Sequence, residues 1–365
     1  MERVKLENSR IAASGAVARI EEVPKDSRIS EELNSFIRHT FSGYIESGDF
    51  SWTETKVREE LSVCGQYHIG IGVLNRLNDI RQINKFLQSA NENLMIGEYL
   101  VINVETKNAR RKRIFNKFPK PVSRPYYLLD FILKRVLPKW KLTYKLYYAI
   151  TGGRNRVLSK TETLGRLYSC GFKVLSYKSI GYNTWFIAKK VNSPVYDRKP
   201  TYGLIIKLNR VGFNGTKFHV YKLRTMHPFS EYVQGYVYES NSLKNGGKLK
   251  DDFRITSWGR YFRKHWIDEL PMLFNWLKGD IKLVGVRPLS EHYFSLYPVD
   301  LQELRTKVYP GLVPPFYADL PESFEEILES EKAYLESYLK KPFRTDLRYF
   351  FKAFYNIVFR GARSK

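Results

Sequence analysis

Cysteine is nearly absent from this 365-residue chain; Cys64 and Cys170 are the only two. Two thiols cannot form a disulfide framework or a cysteine-rich metal site, and a reducing cytosol is the expected setting. Long hydrophobic runs are absent too. No stretch of about 18 uncharged apolar residues occurs, so no ordinary transmembrane helix is expected. The opening MERVKLENSR has no apolar core, so no secretory signal is expected. Acid is scarce relative to base: 37 Asp and Glu against 61 Lys and Arg, a formal charge of +24. Such a field attracts anions, whether nucleic acid, anionic lipid or phosphorylated small molecules. Zinc-finger spacing, RNP-type aromatic motifs and heptad-bearing basic regions are all missing, so nucleic acid is not the expected partner.

What is present is enough apolar material, 43% of residues, for two domains. Aromatics reach 15%, an excess suited to a boundary between water and something apolar. Proline and polar residues cluster at Asn192, Ser193 and Pro194, with Lys199 and Pro200 close behind. This places a boundary between residues 1–192 and 193–365.

The first region reads as α/β. Residues 68–74 and 98–104 look like buried strands. Residues 79–90 carry Ile80, Ile83, Phe86 and Leu87 at helical spacing. Residues 161–170 read as a helix stopped by Gly171, and residues 172–177 and 184–189 as a closing strand pair. This order resembles the second half of a class I methyltransferase. Residues 74–80 stand at a strand-to-helix crossing, Gly97 precedes a strand, and Cys170-Gly171-Phe172 resembles a late turn of that family. The resemblance implies a Rossmann-like domain, but a degenerate one. A cofactor loop needs glycines for close backbone approach, and the one candidate, residues 11–17, has only Gly15.

Within this region lies a basic insert. Between Arg110 and Lys145 there are twelve Lys or Arg and one acid, Asp130, interleaved with residues such as Leu129, Phe131, Leu133 and Leu137. Either an amphipathic helix lies in a membrane interface, or a core helix carries a solvated basic face.

The second region holds closely spaced signals: NRVGFNG at 209–215, YKLRTM at 221–226, DFRIT at 252–256, WIDELP at 266–271, Gly279-Asp280, and LVGVRP at 283–288. Proline favours the first position of a helix and restricts the residue before it. Asp268 and Glu269 are therefore expected in a break ahead of a helix over 271–277, whose N-terminal end would favour anions. Paired carboxylates can seat Mg²⁺ when substrate phosphates complete its shell, and an ionised Asp can attack phosphorus. Taken alone, the pair could merely cap the helix. Arg224, Arg254, Arg260, Arg263 and Arg287 nearby are permanent charges suited to phosphate, and argue for more.

Together these strings resemble the bacterial sugar transferases, the monotopic phosphoglycosyl transferases. That family carries K-F-R-T-M, matched at 222–226 with Leu223 for Phe; R-x-T-x-x-G-R, matched by Arg254, Thr256, Gly259 and Arg260; and D-E-L-P-Q-L, matched at 268–273 with Met272 for Gln. An Asn, a Gly-Asp pair and L-V-G-P-R-P follow, here Asn275, Gly279-Asp280 and 283–288 with Val286 for Pro. The match covers roughly residues 200–360. The resemblance implies a mixed α+β catalytic domain in which Asp268 attacks the β-phosphate of a UDP-sugar and expels UMP. The phosphosugar then passes to a polyprenyl phosphate. It further implies that Glu269 and Asp268 hold Mg²⁺, that Lys222 and the five arginines contact substrate, and that the enzyme works on the cytoplasmic face of a bacterial inner membrane, peripherally or monotopically.

The chain departs from the pattern in two places. No hydrophobic re-entrant segment precedes Arg210; the 110–145 insert, or the aromatic stretch 347–359, could take its place, the latter being equally readable as a core helix. The late P-G-x-T-G turn is replaced by Pro310-Gly311-Leu312-Val313-Pro314-Pro315. The competing function is a membrane-surface scaffold that kept the fold and lost catalysis, a reading that the intact Asp268-Glu269 pair opposes.

Overall fold

The computed structural model describes residues 31–54, 68–140, 142–196, 203–240 and 252–362. The chain divides into two compact units, Met1–Arg198 and Lys199–Lys365, so the division falls six residues beyond the proline-based boundary. The glycine-loop candidate at 11–17, Cys64 and the Lys199-Pro200 pair lie outside the described residues.

In the first unit, α1 (Glu31–Thr40) leads to β1 (Phe50–Thr53), β2 (Gly70–Val73), α2 (Ile83–Glu92) and β3 (Tyr99–Val104). The chain continues through α3 (Lys107–Lys117), α4 (Lys120–Phe131), α5 (Tyr144–Thr151) and α6 (Lys160–Ser169) to the hairpin β4 (Phe172–Ile180) and β5 (Asn183–Lys190). The sheet order is β1-β2-β3-β5-β4. The first three strands are parallel, and β5 runs antiparallel to both its neighbours. Every residue of β2 is buried, the pattern of a parallel strand covered on both faces. Leu33, Phe36 and Ile37 of α1 pack on Phe50, Val101, Trp185 and Ile187 to form a core.

The helix expected from residue 79 starts at Ile83 instead. Asp79 is used differently: it accepts from Arg76 Nε at 3.0 Å and from the Asn155 amide at 2.9 Å, which pins residues 77–79 as a 3₁₀ turn. Gly171 ends α6 as expected. Its φ is +81°, and a Cβ there would meet the Asn192 carbonyl oxygen at 2.0 Å. Cys170 is buried at that turn, and burial pushes its thiol up to about 11.

In the second unit, β6 (Ile205–Val211) and β7 (Lys217–Leu223) form an antiparallel hairpin. Then come α7 (Ser257–Lys264), α8 (Met272–Leu277), β8 (Lys282–Val284), α9 (Val299–Thr306), β9 (Gly311–Val313), α10 (Phe324–Lys340) and α11 (Pro342–Phe359). Strands β8 and β9 pair in parallel. The main core joins Val284 and Val286 to Leu301 of α9 and Tyr334 and Leu335 of α10. Helix α11 is core on one face only. Ala353 packs near Tyr317, and Asn356 Nδ2 donates to the carbonyls of Tyr317 and Ala318 at 3.0 and 2.8 Å. Its opposite face exposes Phe343, Phe351, Phe354 and Phe359. Among the described residues, no helix is long and apolar enough to cross a membrane.

Candidate active site

The acidic pair sits in a 3₁₀ turn, Ile267–Glu269, between α7 and α8. The turn is entered through Trp266, whose φ of +55° is unusual for a bulky side chain. The indole is held in place: Nε1 donates to Tyr317 Oη at 2.7 Å, and the two rings meet edge to face at 5.8 Å. Tyr317 follows the Pro314-Pro315 segment that departs from the family string.

Lys222 reaches the pair from β7. Val220 of that strand packs with Met272 and Ile281. Side chains two apart share a strand face, so Lys222 lies on the same side. Its Nζ donates to Glu269 Oε1 at 2.6 Å. Arg287, three residues past β8, donates to the same oxygen at 3.2 Å. The Arg287 carbonyl accepts in turn from Arg305 of α9 at 2.5 Å, and Arg305 is locked to the buried Glu331 of α10. Arg263 on α7 donates to Thr225 Oγ1 at 2.9 Å and acts electrostatically on Asp268. Arg210 on β6 lies close enough to Arg287 for the two charges to repel.

Asp268 is half-buried. Burial and the charge of Glu269 raise its pKa, and Lys222 and Arg263 offset only part of that. Burial, then Arg287, pulls Lys222 down, against the opposing effect of Glu269. Lys222 and Arg287 thus meet Glu269 and Arg263 acts on Asp268, so three cations converge on two carboxylates. Such a surplus suits a doubly charged phosphate ligand.

The remaining expected contacts are distributed otherwise. Arg254 is buried and engages Asp252 through two nitrogens, at 2.9 and 2.7 Å. Arg224 donates from Nε to the Gly203 carbonyl at 2.9 Å. Arg260 projects from α7 with an exposed side chain. The helix-end argument also changes. Helix α8 has six residues, too few aligned peptides for a strong dipole, so the positive field comes from side chains.

Several motif positions prove to be scaffold. Thr256 caps α7 through the Gly259 amide and also donates to the Thr225 carbonyl. A Cβ at Gly259 would meet that carbonyl oxygen at 2.1 Å. Asn275 is fully buried; it accepts from the Tyr221 amide and donates to the His219 carbonyl and to Asp280, tying α8 to β7. Arg210, Arg305, Glu331 and Tyr317 were not singled out from sequence as site residues. Only Arg210 carried a signal, as the first charge of the 209–215 string.

Residues 194–360 match the family model described as bacterial sugar transferase. The C-terminal unit is therefore similar to the bacterial sugar transferases. Among curated relatives, this chain is 41% identical over 123 residues to the uncharacterized sugar transferase EpsL of Bacillus subtilis, covering 34% of this chain and 50% of that one. It is 40% identical over 109 residues to the galactosyl transferase CpsE of Streptococcus agalactiae, covering 30% and 24%. It is 41% identical over 97 residues to the undecaprenyl-phosphate galactose phosphotransferase of Salmonella typhimurium, covering 25% and 20%. The chain thus spans half or less of the length of each of these relatives.

Proposed function

We propose that the C-terminal unit transfers a sugar-1-phosphate from a UDP-sugar to a membrane polyprenyl phosphate, releasing UMP. The observation that carries this reading is the half-buried Asp268 under the influence of Lys222 and Arg263, next to a Glu269 held by Lys222 and Arg287. An Asp268 carboxylate oxygen attacks the β-phosphorus, and the bond from that phosphorus to the bridging oxygen breaks. UMP leaves with that oxygen, and an aspartyl-phosphosugar remains. A phosphate oxygen of the acceptor then attacks the same phosphorus, Asp268 departs, and polyprenyl-diphosphate-sugar forms. Arg287 and Lys222 hold Glu269 and orient the diphosphate; Arg263 favours the ionised form of the nucleophile. Helix α8 exposes Leu273, Phe274 and Leu277 directly after the pair, an apolar surface compatible with a prenyl tail.

Among the described residues no third His, Cys, Asp or Glu completes a metal cluster around the pair. Two carboxylates are nonetheless the protein share Mg²⁺ takes when phosphate oxygens and water complete its shell. Asp268 and Glu269 would hold it together with the diphosphate, whose negative charge it would neutralise. Full-length protein incubated with detergent-solubilised polyprenyl phosphate and a panel of UDP-sugars should release UMP with at least one sugar, and should stop in excess chelator. A folded protein that releases none across the panel would favour the retired scaffold.

A further inference from the structure

The insert in the N-terminal unit is built inside out. Helix α4 continues through a π turn, Ile132–Val136, and a 3₁₀ turn ending at Lys139. The side chains it turns into the fold are Ser123, Asp130 and Arg135. Asp130 receives Arg110 through two nitrogens, each at 2.6 Å. Arg135 donates to the Val157 carbonyl at 2.8 Å, and the Val157 amide donates back to the Lys134 carbonyl at 2.9 Å. Polar contacts therefore dock this helix onto the unit. Its apolar stripe faces the other way: Val122, Tyr126, Leu129, Leu133 and Val136, spaced by three and four residues, are all exposed. Leu128 and Leu129 are each 59% exposed, and Leu142 and Leu146 beyond them 79% and 64%. A contiguous outward-facing apolar stripe rimmed by polar residues is the kind of surface that marks a docking site.

The surrounding charge has one sign. Arg111, Lys112, Lys117, Lys120, Arg124 and Lys145 are exposed around the stripe. Between Glu105 and Glu162 the sequence holds a single acid, Asp130, which is buried against Arg110. A second copy of the chain would set bases against bases. A nucleic acid would satisfy the bases and leave the Leu and Val stripe in water. An anionic bilayer satisfies both, with headgroup phosphates for the bases and acyl chains for the stripe.

We propose that the α4 surface of the N-terminal unit docks the protein onto anionic phospholipid bilayers. This stands on the N-terminal unit alone, and vesicle binding is read without turnover, so it fails separately from the transferase reading. Full-length protein should co-sediment with phosphatidylcholine vesicles containing phosphatidylglycerol, and less with phosphatidylcholine alone. The triple variant Leu129→Ser, Leu133→Ser, Val136→Ser should lose about tenfold in partitioning at unchanged melting temperature. Replacing Arg111, Lys117, Lys120 and Arg124 with Glu should abolish the preference for phosphatidylglycerol. Both variants should keep wild-type UMP release with detergent-solubilised acceptor. Wild-type partitioning by the folded triple variant would overturn the proposal. So would a dimer that the triple variant breaks while vesicle binding persists.

Discussion

The two units treat buried charge in opposite ways. In the N-terminal unit, Glu162 is fully buried and meets Lys139 at 2.5 Å, Arg166 at 3.0 Å and Arg135 at 3.4 Å. Burial alone would push its carboxyl up, but the three cations more than offset that and hold it well below the usual carboxylate range. Glu105 is likewise bracketed by Arg110 and Arg113. In the C-terminal unit the balance is left open. Asp268 ends above its ordinary value because burial and Glu269 outweigh Lys222 and Arg263. A buried carboxylate over-matched by cations is held ionised as scaffold; one whose neighbours leave its pKa raised is a candidate functional group.

Substitutions should sharpen that contrast. The largest effect belongs to Asp268→Asn, which should lower turnover by more than about a thousandfold, the scale of removing a covalent nucleophile. Its melting midpoint at neutral pH should not fall. The folded pKa of Asp268 lies above the unfolded one, so the folded state binds the proton more tightly. Stability from this group is greatest below the unfolded value and declines as pH rises through the folded value. An uncharged Asn at neutral pH removes that loss.

Glu162→Gln should do the reverse. It leaves buried cations without their partner and should cost about 3–5 kcal/mol in denaturant unfolding. UMP release per folded molecule, with detergent-solubilised acceptor, should be unchanged. A stable Glu162→Gln protein, or a destabilised Asp268→Asn one, would break the comparison.

Arg287→Lys should lower kcat/KM about tenfold to a hundredfold, since an ammonium cannot reproduce the guanidinium fork; melting curves would check that the fold survives. The smallest effect concerns pH. Turnover should fall on acidification as Asp268 takes up a proton, with its midpoint above the aspartate reference of about 3.9. Lys222→Met removes a charge that lowers that pKa, so the acid limb should move to higher pH in a rate profile.

Much of the N-terminal sheet was legible because its strands are continuous apolar runs: β2 and β3 fall within the expected 68–74 and 98–104. Strand β1 has four residues and helix α1 ten. Neither was foreseen, since their place depends on pairing with β2 and packing on Phe50 and Val101, partners remote in sequence. The amphipathic character of the insert was visible in periodicity. Its direction was not, because periodicity distinguishes two faces without saying which meets the fold. The Arg110–Asp130 pair and the Arg135–Val157 contact settle that.

At the site, the same limit separates motif from role. Lys222, Arg263 and Arg287 meet Asp268 and Glu269 from a strand, a helix and a loop, elements that the motif strings did not specify. Arg254 has Asp252 two residues away, a local partner that charge counting overlooks. Asn275 and Gly259 sit in the same strings as the charged residues, yet their work is to fix α8 and α7 against neighbouring backbone.

The central claim is that Asp268 carries the phosphosugar. The most direct measurement is peptide mass mapping after quenching full-length protein with a productive UDP-sugar and no polyprenyl phosphate. The account predicts one phosphosugar adduct on the peptide containing Asp268, lost on adding acceptor and absent in Asp268→Asn. UMP release without any adduct, or an adduct on another residue that persists in Asp268→Asn, would contradict it.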